Sequence, residues 1–400
     1  VKMFHLLKNR KLFLLLLLIW HSNLWAMQLS LEDVLDAAIE KHQQLNRLSL
    51  SSGSIDKPTN SWIASSPTVS LLYLHNQQTE GAKEAEISLN LPMKSSLQHD
   101  LEQQLHQSAP LIRHHASQQQ ALLLSGLIRF NIWEYQLQQV YSHQAQQKLK
   151  VLQTLLEHYQ KLSKAGNTPS YLTMLVKQET IQIRIALLEY QNQVQKLLSE
   201  YRTLTGLNNL PDNIVEAFDG QDPNAATQHP DIQALDASWQ LFTSQLKLSA
   251  NNARPWNLSV TAKRIETSGI TENQIGLGVE MPFSVGNDFS QSQYTEFVQA
   301  QSQYLLQRIT LQQQIQQSIN TASAELTLSQ QRHNLLEEAL EITQQLQPTL
   351  DNLLTSNIAD QEWILRRSLE IVDTQAQFAV NQINLHRQVA TLNQALGKSL

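Results

Sequence analysis

Two kinds of periodicity alternate along this chain. From about Leu97 to Lys164, apolar residues recur at steps of three and four, as at Leu149, Leu152, Leu156, Tyr159 and Leu162. A second such run extends from Asp288 to Thr355, and Leu365, Leu369 and Val372 continue the pattern beyond it. This spacing predicts helices with an apolar seam of the coiled-coil kind. At 1.5 Å per residue, each long run would reach on the order of 100 Å. Helices of that length imply a rod, a bundle or a tube. Pro110 and Pro348 fall inside the runs and are expected to mark kinks or local breaks.

Between the helical runs the period drops to two. Leu258, Val260 and Ala262 alternate with Ser259, Thr261 and Lys263; Ile275, Leu277, Val279 and Met281 alternate with Gly276, Gly278 and Glu280. Nearer the start, Ile87, Leu89 and Leu91 alternate with Ser88 and Asn90. The stretch from Val69 to Leu74 is less regular, because Leu72 and Leu74 fall on its otherwise polar face. Such segments joined by polar tips read as two strand hairpins, over 67–92 and 255–282. Their length suits tilted membrane strands, and equally a small soluble sheet half buried on helices. Open sheet edges are not tolerated in lipid, so a membrane reading requires several chains to share one barrel.

The chain also repeats. Pro67 and Pro255 open the two hairpins, Gly81 and Gly269 lie in their tips, and Pro92 and Pro282 close them. Gly166 and Gly206 find counterparts in Asn357 and Gly397, each 191 residues later. Gly166 and Asn357 suit the left-handed residue that closes a helix, and Thr168-Pro169 reads as an N-cap followed by proline. Asp360 can cap the returning helix of the second half. The expected organisation is a signal peptide (1–26), a first repeat (27–227) and a second repeat (228–400). Each repeat contains a helix, a strand hairpin and a long helical hairpin, with tips near 165–169 and 356–360 and an intermediate segment at 207–227.

The N-terminus carries the address. Lys2, Lys8, Arg10 and Lys11 precede an apolar core from Leu12 to Trp20, and Ala26 sits where a cleavage site would fall. An uncleaved membrane anchor is the alternative. Removing residues 1–26 changes the net charge from −6 to −10, which gives no reason to bind nucleic acid. With 11 Gly and 11 Pro among 400 residues, the chain fits long helices better than an all-β or disordered protein. Only 16% of residues are charged, and 53 are Gln, so the polar helix faces are unusually poor in ions. The absence of cysteine excludes disulfides, thiolate metal sites, cysteine nucleophiles and a lipid-modified N-terminal cysteine.

Catalytic signatures are missing: there is no Walker loop, HExxH, GxSxG or glycine-rich dinucleotide turn. The chain is read as no enzyme, with no cofactor and no metal. His114 and His115 point about 100° apart on a helix, and His99 and His106 share a face without a third ligand; solvated surface histidines account for both pairs.

Several short motifs then resemble the TolC family of bacterial outer-membrane efflux and export channels. They are Leu29-Ser30-Leu31-Glu32-Asp33-Val34-Leu35, His229-Pro230-Asp231-Ile232, Gly278-Val279-Glu280-Met281-Pro282 and the final Ala395-Leu396-Gly397. The likeness runs from Leu29 to Gly397. It implies a mainly α fold with a small β part. Three chains would form a periplasmic α-barrel of coiled-coil helices, with four strands each in a shared twelve-stranded outer-membrane β-barrel. It also implies a periplasmic adaptor, met at the tips Gly166, Asn167, Thr168, Pro169, Asn357 and Ile358. Through the adaptor the channel would join an inner-membrane pump, commonly of the resistance-nodulation-division type.

The implied role is passive conduction of small toxic solutes, drugs or heavy-metal ions, across the outer membrane. A type I protein secretion duct would use the same tube, and a periplasmic coiled-coil structural or adaptor protein is the alternative of another class. Many members of the family place aspartates shortly after the second tip. The matching positions here are Trp363 and Arg366, a departure from that pattern. Trp363 would narrow the pore. Arg366 or Arg367 would add a basic ring, or pair with Asp360 and Glu362 of a neighbour. Alternatively Trp363 packs between helices and the arginines face solvent.

Overall fold

The computed structural model of the chain describes residues 29–49, 61–76, 81–164, 170–218, 220, 225–252, 255–281, 290–356 and 361–400. Seven helices and four strands appear among them. Helix α1 (Leu31–Ser49) precedes β1 (Thr68–His75) and β2 (Lys83–Met93), and the long α2 (Ser96–Lys164) and α3 (Ser170–Thr205) follow. The order then recurs: α4 (Ala225–Gln228) and α5 (Pro230–Asn252) lead to β3 (Trp256–Thr267), β4 (Ile270–Glu280), α6 (Gln291–Ser356) and α7 (Gln361–Ala395). Gly206 closes α3 and Gly397 lies just past α7, both in the left-handed region at φ 80° and 78°. Only a residue without Cβ takes that conformation freely.

Hydroxyl chemistry starts the helices. Ser30 and Asp33 cap α1 reciprocally: the Ser30 amide donates to the Asp33 carboxylate at 2.9 Å, and the Asp33 amide donates back to Ser30 Oγ at 3.1 Å. Hydrogen bonds from Ser30 hold the Asp33 carboxyl below the usual range. Ser290 and Gln293 repeat the arrangement at α6. Both internal prolines sit within unbroken helices, Pro110 in α2 and Pro348 in α6. This corrects the expectation of breaks: Pro costs one backbone hydrogen bond, which a helix of 69 or 66 residues absorbs.

The chain packs as two compact units, each drawing on both halves of the sequence. The first takes residues 1–49, 123–220 and 320–400. Near the ends of its helices, Leu152, Leu155 and Tyr159 of α2 form a core with Leu172 and Val176 of α3 and Ile364 and Leu365 of α7. Fully burying each such side chain contributes roughly 1.5–3 kcal/mol. The buried Tyr159 hydroxyl donates to the Gln361 carbonyl at 2.7 Å, which fixes the start of α7. Elsewhere in this unit Arg129 is buried. Its guanidinium grips Glu216 through both oxygens, at 2.8 and 2.7 Å, and also donates to the Lys398 carbonyl at 2.9 Å. Tyr201 is buried as well; its phenol is pushed up to about 12 by desolvation and donates to the Asn209 carbonyl at 3.0 Å.

The second unit takes residues 50–122 and 221–319 and contains the sheet. Its strands lie in the order β1-β2-β3-β4, all neighbours antiparallel. Trp239 of α5 stacks on Tyr304 of α6 with ring centroids 4.9 Å apart. Arg308 and Tyr304 both donate to Asp236, at 3.0 and 2.7 Å. No described helix is long and apolar enough to cross a membrane.

Candidate functional site

The first candidate site is the sheet itself, because its pairing register sorts the side chains. Leu71, Ile87, Ala262 and Ile275 form one cross-strand row, and Val69, Leu89, Val260 and Leu277 form the next. Toward the helices the same face continues through Leu91, Leu258 and Val279 to Met93 and Trp256. The opposite face carries Ser70, Ser88, Thr261 and Gly276 in one row and Leu72, Glu86, Lys263 and Gln274 in another. Polar groups there bond to one another: Ser88 and Thr261 hydroxyls meet at 3.0 Å, and Lys263 Nζ lies 2.7 Å from Glu84.

The apolar face is the open one. On the central strand β2, Ile87 of the apolar face is 48% exposed and Ser88 of the polar face 8%; on the edge strands β1 and β4 both faces are open, with Ile275 83% and Leu71 78% exposed. A soluble sheet resting on helices would show the reverse. Among the described residues nothing covers this face, which differs from the half-buried soluble sheet expected as one alternative. Aromatic rings bracket the apolar rows, Trp256 at the helix end and Tyr73 toward the tip, and both are exposed. That is the pattern of a strand surface bounded by two membrane interfaces.

The second candidate site is the start of α7. Ile364 and Leu365 point into the core, while Trp363, Arg366, Arg367 and Glu370 share the other side of the helix. Trp363 is 43% exposed, so within its own chain it is not the packing residue. Arg366 reaches back to Glu362 at 2.7 Å, and Arg367 pairs with Glu370 while lying 5.8 Å from the Trp363 ring centroid. The two arginines are therefore matched by two glutamates of the same helix, and the stripe is close to neutral. Exposed pairs of this kind contribute about 0–1 kcal/mol each. The remaining tip residues, Gly166, Asn167, Thr168, Pro169, Asn357, Ile358 and Asp360, lie outside the described residues, as do residues 1–26 and Pro282.

Some features were not anticipated from sequence. Met174, Ile181 and Leu188 on α3, and Leu328, Leu335 and Ile342 on α6, are exposed at steps of seven. Their spacing was legible, but only the fold shows that these seams stay exposed among the described residues. The buried Arg129–Glu216 pair had no sequence signal, since its members lie 87 residues apart.

In its fold the chain is similar to solved outer-membrane channels. Three of these give the measure. The chain superposes on the outer membrane protein VceC from Vibrio cholerae with a TM-score of 0.67, 15% identity, and coverage of 92% of this chain and 96% of that one. For the Campylobacter jejuni channel CmeC the values are 0.65, 12%, 92% and 85%. For CusC, a transmembrane channel, they are 0.64, 13%, 91% and 89%. No family model and no curated protein sequence matches the chain. The likeness to the TolC family drawn from short motifs therefore holds at the level of the fold.

Proposed function

We propose that this chain is an outer-membrane channel protomer, three copies of which enclose a passive conduit for small toxic solutes, drugs or heavy-metal ions. The observation that carries the reading is the outward apolar face of a sheet with two open edges. In lipid that face is at home, and three chains of four strands leave no edge unpaired. The exposed heptad seams of α3 and α6 supply matching contacts between copies in the helical part. A periplasmic adaptor protein exposing such a sheet would aggregate, which disfavours the alternative of another class.

In this reading residues 1–26 direct export, and 27–227 and 228–400 are the two repeats of each wall segment. The helices stand in the periplasm and the strands in the outer membrane. The tips around 165–169 and 356–360 meet an adaptor that links the channel to an inner-membrane pump of the resistance-nodulation-division type. Energy is supplied by that pump, and partners open the tips by favouring the open arrangement. The exposed stripe of α7 lines the narrowest point, with Trp363 setting its width. Because Glu362 and Glu370 balance Arg366 and Arg367, this aperture favours neither ion sign strongly.

The experiment is direct. Expressed in a Gram-negative host, the protein is expected in the outer-membrane fraction as a detergent-extracted trimer that forms conducting pores in planar bilayers. A monomer that stays soluble without detergent would overturn the proposal. For the gate, Arg366→Glu is expected to shift pore selectivity toward cations, because it replaces a positive charge of the stripe with a negative one; unchanged selectivity and conductance would remove Arg366 from the aperture.

A further inference from the structure

The sheet is unfinished on both sides: among the described residues β1 pairs only with β2, and β4 only with β3. The two edge strands run in opposite directions, so β4 of one copy can continue antiparallel into β1 of the next. Trimeric closure follows from the proposed function above. The register of that closure does not, and three observations on this chain select it.

Side-chain alternation comes first. To keep the apolar rows outward, the offset between one copy's rows and the next must be an even number of residues. Strand tilt narrows the choice. Four strand steps of about 4.8 Å span roughly 19 Å, so offsets of two, four or six residues at about 3.4 Å correspond to tilts of about 20°, 35° and 47°; two falls well short of the usual range for barrels, and four and six stand at its two edges. The apolar band gives the direction, because it slants across the sheet. Its tip-side limit is Tyr73 on β1 but Ile275 on β4, which lies in the Leu71 row, one row nearer the helices.

The third observation concerns four residues that otherwise break the pattern. Leu72 and Leu74 are the apolar residues of β1 on the polar face, and both are half exposed. Gly276 and Gly278 lie on the same face of β4. An offset of four sets Leu72 opposite Gly278 and Leu74 opposite Gly276, whereas offsets of two and six match only one leucine with one glycine. A Cβ on Gly276 would meet nothing within 4 Å in its own chain, so the space is left open by that chain. Gly278 has a reason at home as well, since its Cβ would crowd the Ser259 hydroxyl.

We infer that β4 of each copy pairs with β1 of the next so that Val279 faces Leu71, Leu277 faces Tyr73, Gly278 faces Leu72 and Gly276 faces Leu74. The bulky leucines cover the glycines of the neighbouring edge. Backbone bonds close the barrel while the apolar band stays level with the membrane.

The chain contains no cysteine, which makes disulfide mapping clean. Leu71→Cys combined with Val279→Cys is to be oxidised in intact outer membranes beside three competitors: Leu71→Cys with Ile275→Cys, Leu277→Cys or Met281→Cys. Within one chain Leu71 lies three strands from all four partners, beyond the ~7 Å Cα separation a disulfide can bridge, so any bond reports a neighbouring copy. The Val279 pair is expected to give at least about tenfold more covalent oligomer than each competitor. Preferential bonding in another pair overturns the register. If the protein is a trimer by mass and no pair bonds, the β4–β1 contact itself is overturned; a monomer would instead overturn the channel reading.

A second measurement needs no oxidation. Gly276→Val, which β-propensity alone would favour, is expected to lower the temperature at which trimers dissociate, and Leu74→Ala in the same chain is expected to restore it. An undiminished temperature, or no rescue, overturns the Leu74–Gly276 contact.

Discussion

Arg129 gathers distant parts of the chain onto one buried charge. It holds Glu216 bidentately and reaches the Lys398 carbonyl, while Asn393 donates to Glu216 at 3.1 Å. The α2 helix, the segment after α3 and the C-terminal end of the chain thus converge on one ion pair. Desolvating such a pair costs nearly what its attraction returns, so its presence is weak evidence of stabilisation, but removing one partner strands a buried charge. Arg129→Ala is expected to lower unfolding free energy by about 3–5 kcal/mol, while the double replacement Arg129→Met with Glu216→Leu costs far less. Chemical denaturation of the two variants checks this. Nothing in the sequence marked these residues, because partners 87 positions apart leave no periodic trace.

His158 ties residue to element. It sits on α2 beside Tyr159, at the core that joins the helix ends. Partial burial and the nearby Lys161 hold its imidazole below the ordinary histidine range. The unfolded chain therefore takes up this proton first. Its contribution to stability is complete above about 6.5 and is lost as pH falls through the depressed folded value. Between pH 7 and 5 the thermal midpoint of the wild-type protein is expected to fall, and His158→Gln is expected to flatten that dependence. Melting curves across the range decide it.

Among the elements, the helices were the most legible part. The expected run from Leu97 to Lys164 became Ser96–Lys164, and that from Asp288 to Thr355 became Gln291–Ser356. Long amphipathic repetition leaves few alternatives, because each turn repeats the same instruction. The strands were nearly as clear, with hairpins at 68–93 and 256–280. Leu152, Tyr159 and Leu365 of the predicted seam are buried, and Leu155, which the seam skipped, joins them. At Pro110 and Pro348 no break forms, since a single missing hydrogen bond matters less in a helix of this length than in a short one.

For the molecule as a whole, solvent is the deciding quantity. In water the open apolar face of the sheet is a liability; in lipid, where the proposed function puts it, that face is solvated. On the proposed channel reading, Leu277→Arg on that face is expected to cost roughly 2–4 kcal/mol of folding in the membrane. Gln274→Arg, three residues away on the polar face, should cost little. Heat-dissociation of the two variants in detergent or lipid separates the faces. A result in which both behave alike would count against the outward orientation.

The sequence by itself determined the repeat, the long helices, the hairpins and the alternation of their faces, because each is written in local spacing that needs no distant partner. Only the tertiary structure decided which face of the sheet stays uncovered, that Ile364 and Leu365 rather than Trp363 enter the core, and that Arg366 and Arg367 are matched by Glu362 and Glu370 on their own helix. Those outcomes depend on what each side chain meets across space, and alternation alone states that two faces differ without saying which one the rest of the chain will leave bare.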